Sequence, residues 1–229
     1  MLIDVIIPAF NEEKSIGRVI QHLPTEWVRN IIVANNGSTD STKTVALEAG
    51  AIVVDQKLKG YGNACLKAIE FLKGQLIPPD VVVFLDGDFS DFPEQLSELI
   101  LPITKESYDL VIGSRVLGKR EKGALLPQQR FGNALACGLI KLFFGYTFTD
   151  LGPFRAIQYP KLLQLDMQDQ NFGWTVEMQI KAAKQGLKCI EVPVDYRKRI
   201  GQSKVSGTIR GSIKAGYKIL WTIFKYILK

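Results

Sequence analysis

The chain is α/β, with a doubly wound, mostly parallel, Rossmann-like sheet flanked by helices, and three observations predict it. Short runs rich in Ile and Val recur at Ile3 to Ile7, Ile31 to Ala34, Ile52 to Val54, Val81 to Leu85 and Leu110 to Ile112. Because polar residues do not alternate within them, these runs suit strands buried on both faces. Segments of helical periodicity separate them, and polar clusters follow several of them, at the edge where open α/β sheets bind ligands.

Each element can be justified in order. The first run leads into Pro8-Ala9-Phe10-Asn11-Glu12-Glu13 and then helical spacing over Glu13 to Leu23. The second ends in Asn35-Asn36-Gly37-Ser38-Thr39-Asp40, with a helix expected from Ser41, a good cap, to Ala49. After the third comes Gly60-Tyr61-Gly62-Asn63-Ala64-Cys65 and a helix over Gly62 to Leu72. This imitates a dinucleotide-binding glycine loop, but Cys65 replaces the third glycine and the unit is not the first of the chain, so a tight turn near a nucleotide is the better reading. The fourth run stops at Asp86-Gly87-Asp88, and Ser90 or Asp91 before Pro93 is expected to start the helix Glu94 to Ile103.

Composition narrows the chemistry. At 229 residues and 46% apolar the chain can bury one full core. The N-terminus enters a strand pattern without the basic and apolar regions of a secretory signal, so an intracellular protein is expected. Three scattered cysteines, Cys65, Cys137 and Cys189, support neither disulfides nor a zinc site. With His22 as the single histidine, any metal should take oxygen ligands, which favours Mg²⁺ or Mn²⁺. The net charge of +6 points to an anionic partner, and the basic residues crowd into Tyr196 to Lys204 and Arg210 to Lys229.

Asp86 and Asp88 stand two apart at a strand end, where extended geometry turns both side chains the same way. Carboxylates that close repel each other until a proton or a cation intervenes. Mg²⁺ commonly takes one or two protein carboxylates and completes its shell with water and phosphate oxygens. Gly87 between them allows a ligand to approach the backbone.

Taken together, PAFNEE, NNGSTD, LDGDFSDFPEQL, Gly113-Ser114-Arg115 and Asp150-Leu151-Gly152-Pro153-Phe154-Arg155 resemble family 2 glycosyltransferases of the GT-A fold. The stretch from Glu191 to Lys204, ending R-x-G-x-S-K, is similar to dolichyl- or polyprenyl-phosphate mannosyl- and glucosyltransferases. The resemblance covers roughly residues 2 to 206 and implies a metal-dependent inverting transfer of a hexose from a nucleotide sugar of the GDP-mannose or UDP-glucose type. By the same resemblance Pro8, Ala9, Phe10, Glu12, Asn35, Gly60, Asp86 and Gly87 line the nucleotide site, and Asp86 and Asp88 hold the metal. Asp88, Arg115, Arg199 and Lys204 carry catalysis, Arg130 joining the basic groups around the phosphates. The chain departs from the family at Asn35, where an Asp usually reads the base, at Ser90, where some members offer a metal-binding Gln, and at Tyr61, which replaces a Lys.

The acceptor is expected to be a polyprenyl phosphate, whose oxygen is already ionised and needs no base; a soluble sugar hydroxyl would instead require a carboxylate, Asp150 or Glu177. Trp174, beside Glu177 at a helix start, reads equally as core packing. Residues 1–206 form the expected transferase domain and 207–229 an amphipathic helix. On that helix Ile213, Tyr217, Leu220, Trp221, Phe224, Ile227 and Leu228 project as one apolar arc flanked by Lys214, Lys218, Lys225 and Lys229. It fits a helix lying on the anionic inner face of a membrane from the cytoplasmic side, with docking on its own domain or on a second copy in a homo-oligomer as the alternative. The apolar stretch Phe131 to Phe148 is broken by Gly132, Lys141 and Gly145 and reads as a core or interfacial helix. No nucleic-acid partner is expected.

Overall fold

The computed structural model describes residues 1–201 and 209–227. Seven strands form one sheet in the order β3-β2-β1-β4-β6-β5-β7. The five apolar runs are β1 (Ile3–Ala9), β2 (Asn30–Asn35), β3 (Ile52–Asp55), β4 (Val81–Phe84) and β5 (Leu110–Ser114). The parallel pairs are β1 with β2 and β4, β2 with β3, and β5 with β7 (Cys189–Pro193). Strand β6 (Arg155–Gln158) runs antiparallel between β4 and β5. The sequence runs predict neither β6 nor β7. Strand β6 is four residues long and begins with Arg155, which is fully buried; its guanidinium donates to the carbonyls of Leu151, Gly152 and Thr175. A buried cation in a strand is tolerated here because carbonyls replace its hydration.

Side chains alternate between two core layers. Ile6, Ile32, Val82 and Phe84 pack toward α3 (Tyr61–Lys73), α5 (Pro127–Phe144) and α7 (Trp174–Lys184). Val5, Ile7, Val33 and Val83 pack toward α1 (Ile16–Gln21), α2 (Thr42–Glu48) and α4 (Leu96–Glu106). The short α6 (Tyr159–Leu165) follows β6 directly. None of the expected caps makes a side-chain cap bond: Ser41 precedes α2 without one, Ser90 turns to Asp88, and Pro93 opens a 3₁₀ turn ahead of α4.

The C-terminal helix α8 (Ile209–Ile227) docks on α5 and α7, burying Thr222, Ile223 and Tyr226. Of the arc read from the sequence, Ile213, Tyr217, Trp221, Phe224 and Ile227 lie on the opposite side and stay exposed, Leu220 is partly covered, and Leu228, with Lys229 on its flank, lies outside the described residues. Thus α8 has two apolar faces and uses one. No helix among the described residues is long and apolar enough to cross a membrane.

Candidate active site

The strand ends build a cleft of about 390 Å³, lined by Pro8, Ala9, Phe10, Glu12, Asn36, Lys59, Gly60, Tyr61, Asp86, Gly87, Asp88, Asn171, Phe172 and Arg199 among others. Asn36, rather than Asn35, faces it. The Asn35 side chain is spent behind the wall, donating to Asp55 Oδ1 at 2.8 Å and accepting from the Ser38 N–H. Asn36 joins two loops by accepting from the Gly60 N–H and donating to the Leu58 carbonyl. Gly60 has φ 138°, and a Cβ there would stand 2.2 Å from the Gln170 carbonyl oxygen, so this turn admits only glycine.

Asp86 and Asp88 both reach the cleft, in unlike states. Asp86 Oδ1 and the Tyr61 hydroxyl are both buried and face each other, without a hydrogen bond of good geometry to any group. Burial first, and then the neighbouring Asp88 charge, hold the Asp86 carboxyl well above the usual carboxylate range. Asp88 Oδ1 accepts from the Ser90 N–H and hydroxyl, while its Oδ2 lies 3.1 Å from Arg199 Nη1. Ser90 therefore steadies Asp88. Arg199 also meets Glu12 Oε1 at 2.8 Å, bridging the first and fourth strand ends.

An orphaned carboxylate oxygen beside a second, oriented carboxylate is a donor set that fits Mg²⁺ or Mn²⁺, with water and phosphate completing the shell. Among the described residues no cluster of three or more His, Cys, Asp or Glu could hold a metal by itself. Asp86 and Asp88 would therefore share the ion with substrate.

The segment after β7 is fastened over this turn. Arg197 lies between the rings of Phe89 and Phe92, its carbon 3.5 and 4.1 Å from their centroids, and donates to the Phe89 and Asp91 carbonyls. The Ile200 N–H donates to the Asp88 carbonyl, which leaves Arg199 at the cleft. Asp91 itself is buried with both carboxylate oxygens unpartnered, and burial, followed by the Asp86 charge, raises its carboxyl well above the usual range.

A second cavity of about 540 Å³ continues from the first, sharing Tyr61, Asp86, Asp88, Phe172 and Arg199. It runs past Arg115 and Tyr196 and between α5 (Gln128, Gln129, Gly132, Asn133) and α8 (Ile213, Gly216, Ile219). Asp150 takes three bonds from Arg115, from its N–H and Nε at 2.8 Å and from Nη2 at 2.7 Å. Glu191 Oε1 and Oε2 accept the Asp150 and Thr149 N–H groups. Glu177 accepts the Gln168 and Asp169 N–H groups and the Tyr226 hydroxyl, with Lys181 at 3.0 Å. Neither Asp150 nor Glu177 lines the cavity, and Trp174, buried against Phe84, is among its lining residues. Arg130 sits with Arg115 and Arg120 in an adjoining hollow, and Lys204 lies outside the described residues.

Residues 4–167 match the family Glycosyl transferase family 2. The chain belongs to this family. It is 34% identical to glycosyltransferase AglJ of Haloferax volcanii over 85% of this chain and 63% of that one. It is 31% identical to a dolichyl-phosphate hexose transferase of the same organism over 88% of this chain and 85% of that one. Among solved structures, glucosyl-3-phosphoglycerate synthase from Mycobacterium tuberculosis in complex with Mn²⁺, UDP and glucosyl-3-phosphoglycerate superposes with a TM-score of 0.75 at 20% identity, covering 98% of this chain and 79% of that one. The fold of this family 2 glycosyltransferase is accordingly of the GT-A type.

Asn36, Lys59, Asn171, Phe172 and Tyr196 line the two cavities, and the sequence does not single them out as ligand contacts. Lys59 Nζ lies 5.2 Å from the Phe10 ring centroid, and its place just before Gly60 was the available signal. No local pattern marks Asn171 and Phe172, which arrive from the loop between α6 and α7.

Proposed function

We propose that this glycosyltransferase moves a hexose from a nucleotide sugar to a polyprenyl phosphate with the help of Mg²⁺ or Mn²⁺, working at a membrane surface. The observation that carries this is the continuity of the two cavities: the second leaves Asp86, Asp88 and Arg199 and runs out between α5 and α8, two helices with apolar outer faces. Phe131, Leu142 and Phe143 of α5 and Trp221 and Phe224 of α8 are exposed, and the Phe143 and Phe224 rings, 6.3 Å apart, join the two faces. Lys141, Lys214 and Lys225 stand exposed on these helices, a charge arrangement suited to an anionic leaflet. The names of the relatives support the lipid acceptor, and the Mn²⁺ and UDP of the solved structure support the donor and metal.

The first cleft takes the nucleotide sugar, with its diphosphate toward Asp86, Asp88 and Arg199. When bound, the cation offsets the charge that builds on the departing diphosphate. Arg115, oriented by Asp150, and Arg199 place the acceptor phosphate. One of its oxygens forms the bond to the anomeric carbon as the bond from that carbon to the diphosphate breaks, inverting the centre. A phosphate oxygen brings no proton to remove, in keeping with Asp150 and Glu177 being fully engaged by protein donors.

A panel of UDP- and GDP-sugars, with and without Mn²⁺, offered with a short polyprenyl phosphate in anionic vesicles, tests the proposal. Metal-dependent glycosyl lipid from one donor is the expected result. Product formed on a soluble sugar and none on the lipid phosphate would reject it.

A further inference from the structure

The inner side of α8 reaches the loop between α6 and α7 at three places. Lys218 Nζ lies 2.9 Å from Asp169 Oδ2. The Thr222 hydroxyl occupies the space beside Gly173, only 2.4 Å from where a Cβ would be. Tyr226 donates its hydroxyl hydrogen to Glu177, the carboxylate that collects the Gln168 and Asp169 N–H groups. Asp169 is the loop's own anchor, since its Oδ1 accepts the N–H groups of Asn171 at 2.7 Å and Gly173 at 3.1 Å.

On the other side the loop lies against the start of α3. Cβ atoms on Gly60 and Gly62 would come within 2.2 Å of the Gln170 carbonyl oxygen and 1.9 Å of that of Asp169, and the Asn63 N–H donates to Gln170 O at 3.0 Å. Pinned from both sides, the loop presents Asn171 and Phe172 to the first cleft. The Asn171 Oδ1 is buried and has no hydrogen-bond partner.

We propose that Lys218 is a positioning residue for the donor: by neutralising Asp169 it fixes the loop so that the Asn171 amide oxygen accepts a hydroxyl of the nucleotide sugar. The donor's identity rests on the proposed function; the positioning does not. Lys218 lines neither cavity and acts through Asp169 alone. The Asp169 side chain is 6% exposed, so without the lysine its charge keeps only backbone donors. Rehydrating that carboxylate requires the loop to move.

The test uses the full chain with Lys218→Ala, Lys218→Arg, Asn171→Ala, the double variant Lys218→Ala with Asn171→Ala, and Lys105→Ala as an exposed control on α4. Binding of UDP-glucose and GDP-mannose with Mn²⁺ is followed by calorimetry, and amide exchange over residues 168–173 is measured in the free protein. Lys218→Ala should weaken donor binding by about fivefold to tenfold and speed exchange in the loop, with kcat changed by less than about twofold. Lys218→Arg should restore binding, Lys105→Ala should leave it alone, and the double variant should bind about as weakly as Asn171→Ala. Wild-type affinity in Lys218→Ala, or losses that add in the double variant, would overturn the proposal. If the wild-type chain takes up neither sugar nucleotide, the donor reading fails. Exchange then decides the positioning claim, and unchanged protection over 168–173 in Lys218→Ala sinks it.

Discussion

Asp150 and Glu177 on one side, and Asp86 and Asp91 on the other, all carry buried carboxylate oxygens, yet their surroundings are opposite. Asp150 and Glu177 meet an arginine or a lysine and several N–H donors. Asp86 keeps one orphaned oxygen and Asp91 two. A carboxylate satisfied by its own protein has nothing left to offer a substrate, and removing it exposes the partners it was holding. One left unsatisfied is stable only with a proton or a cation from outside. The first pair should therefore register in stability and the acidic turn in turnover.

The largest effect should come from Asp86→Asn, which keeps the shape of the turn and removes the unsatisfied half of the proposed metal pair. Transfer should fall by at least about 10³-fold while the thermal midpoint hardly moves. Near-normal turnover at saturating Mn²⁺ would break the contrast. Next is Asp150→Ala, which strands the Arg115 guanidinium; denaturant unfolding should show a loss of about 3–5 kcal/mol. A loss below about 1 kcal/mol would put Asp150 with the functional acids after all.

The smallest effect sharpens the contrast through pH. Because Asp91 holds its proton in the folded state above the ordinary carboxylate range, the unfolded chain releases that proton first as pH rises. Folding stability is then lost upward from about pH 4, by at most about 1.4 kcal/mol per pH unit from this group. Asp91→Asn removes the titration, so its thermal midpoint should exceed that of the parent near neutrality and converge on it below about pH 4. A gain that is the same at both ends of the range would show that Asp91 does not hold the proton.

What could be read beforehand follows the same division between local and distant causes. Strands β1, β2, β4 and β5 announce themselves as apolar runs that the sheet buries, and the Asp86-Gly87-Asp88 turn because two acids close in sequence remain close in space; β3 shows the same pattern but lies at the sheet edge, so the expected burial on both faces fails there and Ile52 stays exposed. Strand β6 was hidden by Arg155, whose burial depends on the carbonyls of Leu151, Gly152 and Thr175. Asp150 and Glu177 could be suspected as bases because sequence shows an acid but not what its oxygens meet. For α8 the helical projection found the exposed arc, while Ile223 and Tyr226 gained their importance only from the groove that α5 and α7 leave for them. Asn171 could not be placed at all, since two glycines more than a hundred residues earlier bring its loop to the cleft.

The reversed direction of β6 has one more effect. Every parallel strand delivers to the cleft the residues that leave it, whereas β6 delivers those that enter it, the turn from Asp150 to Phe154. Arg115 leaves β5 while the Asp150 that holds it arrives ahead of β6, so this ion pair is closed by two neighbouring strands of opposite direction.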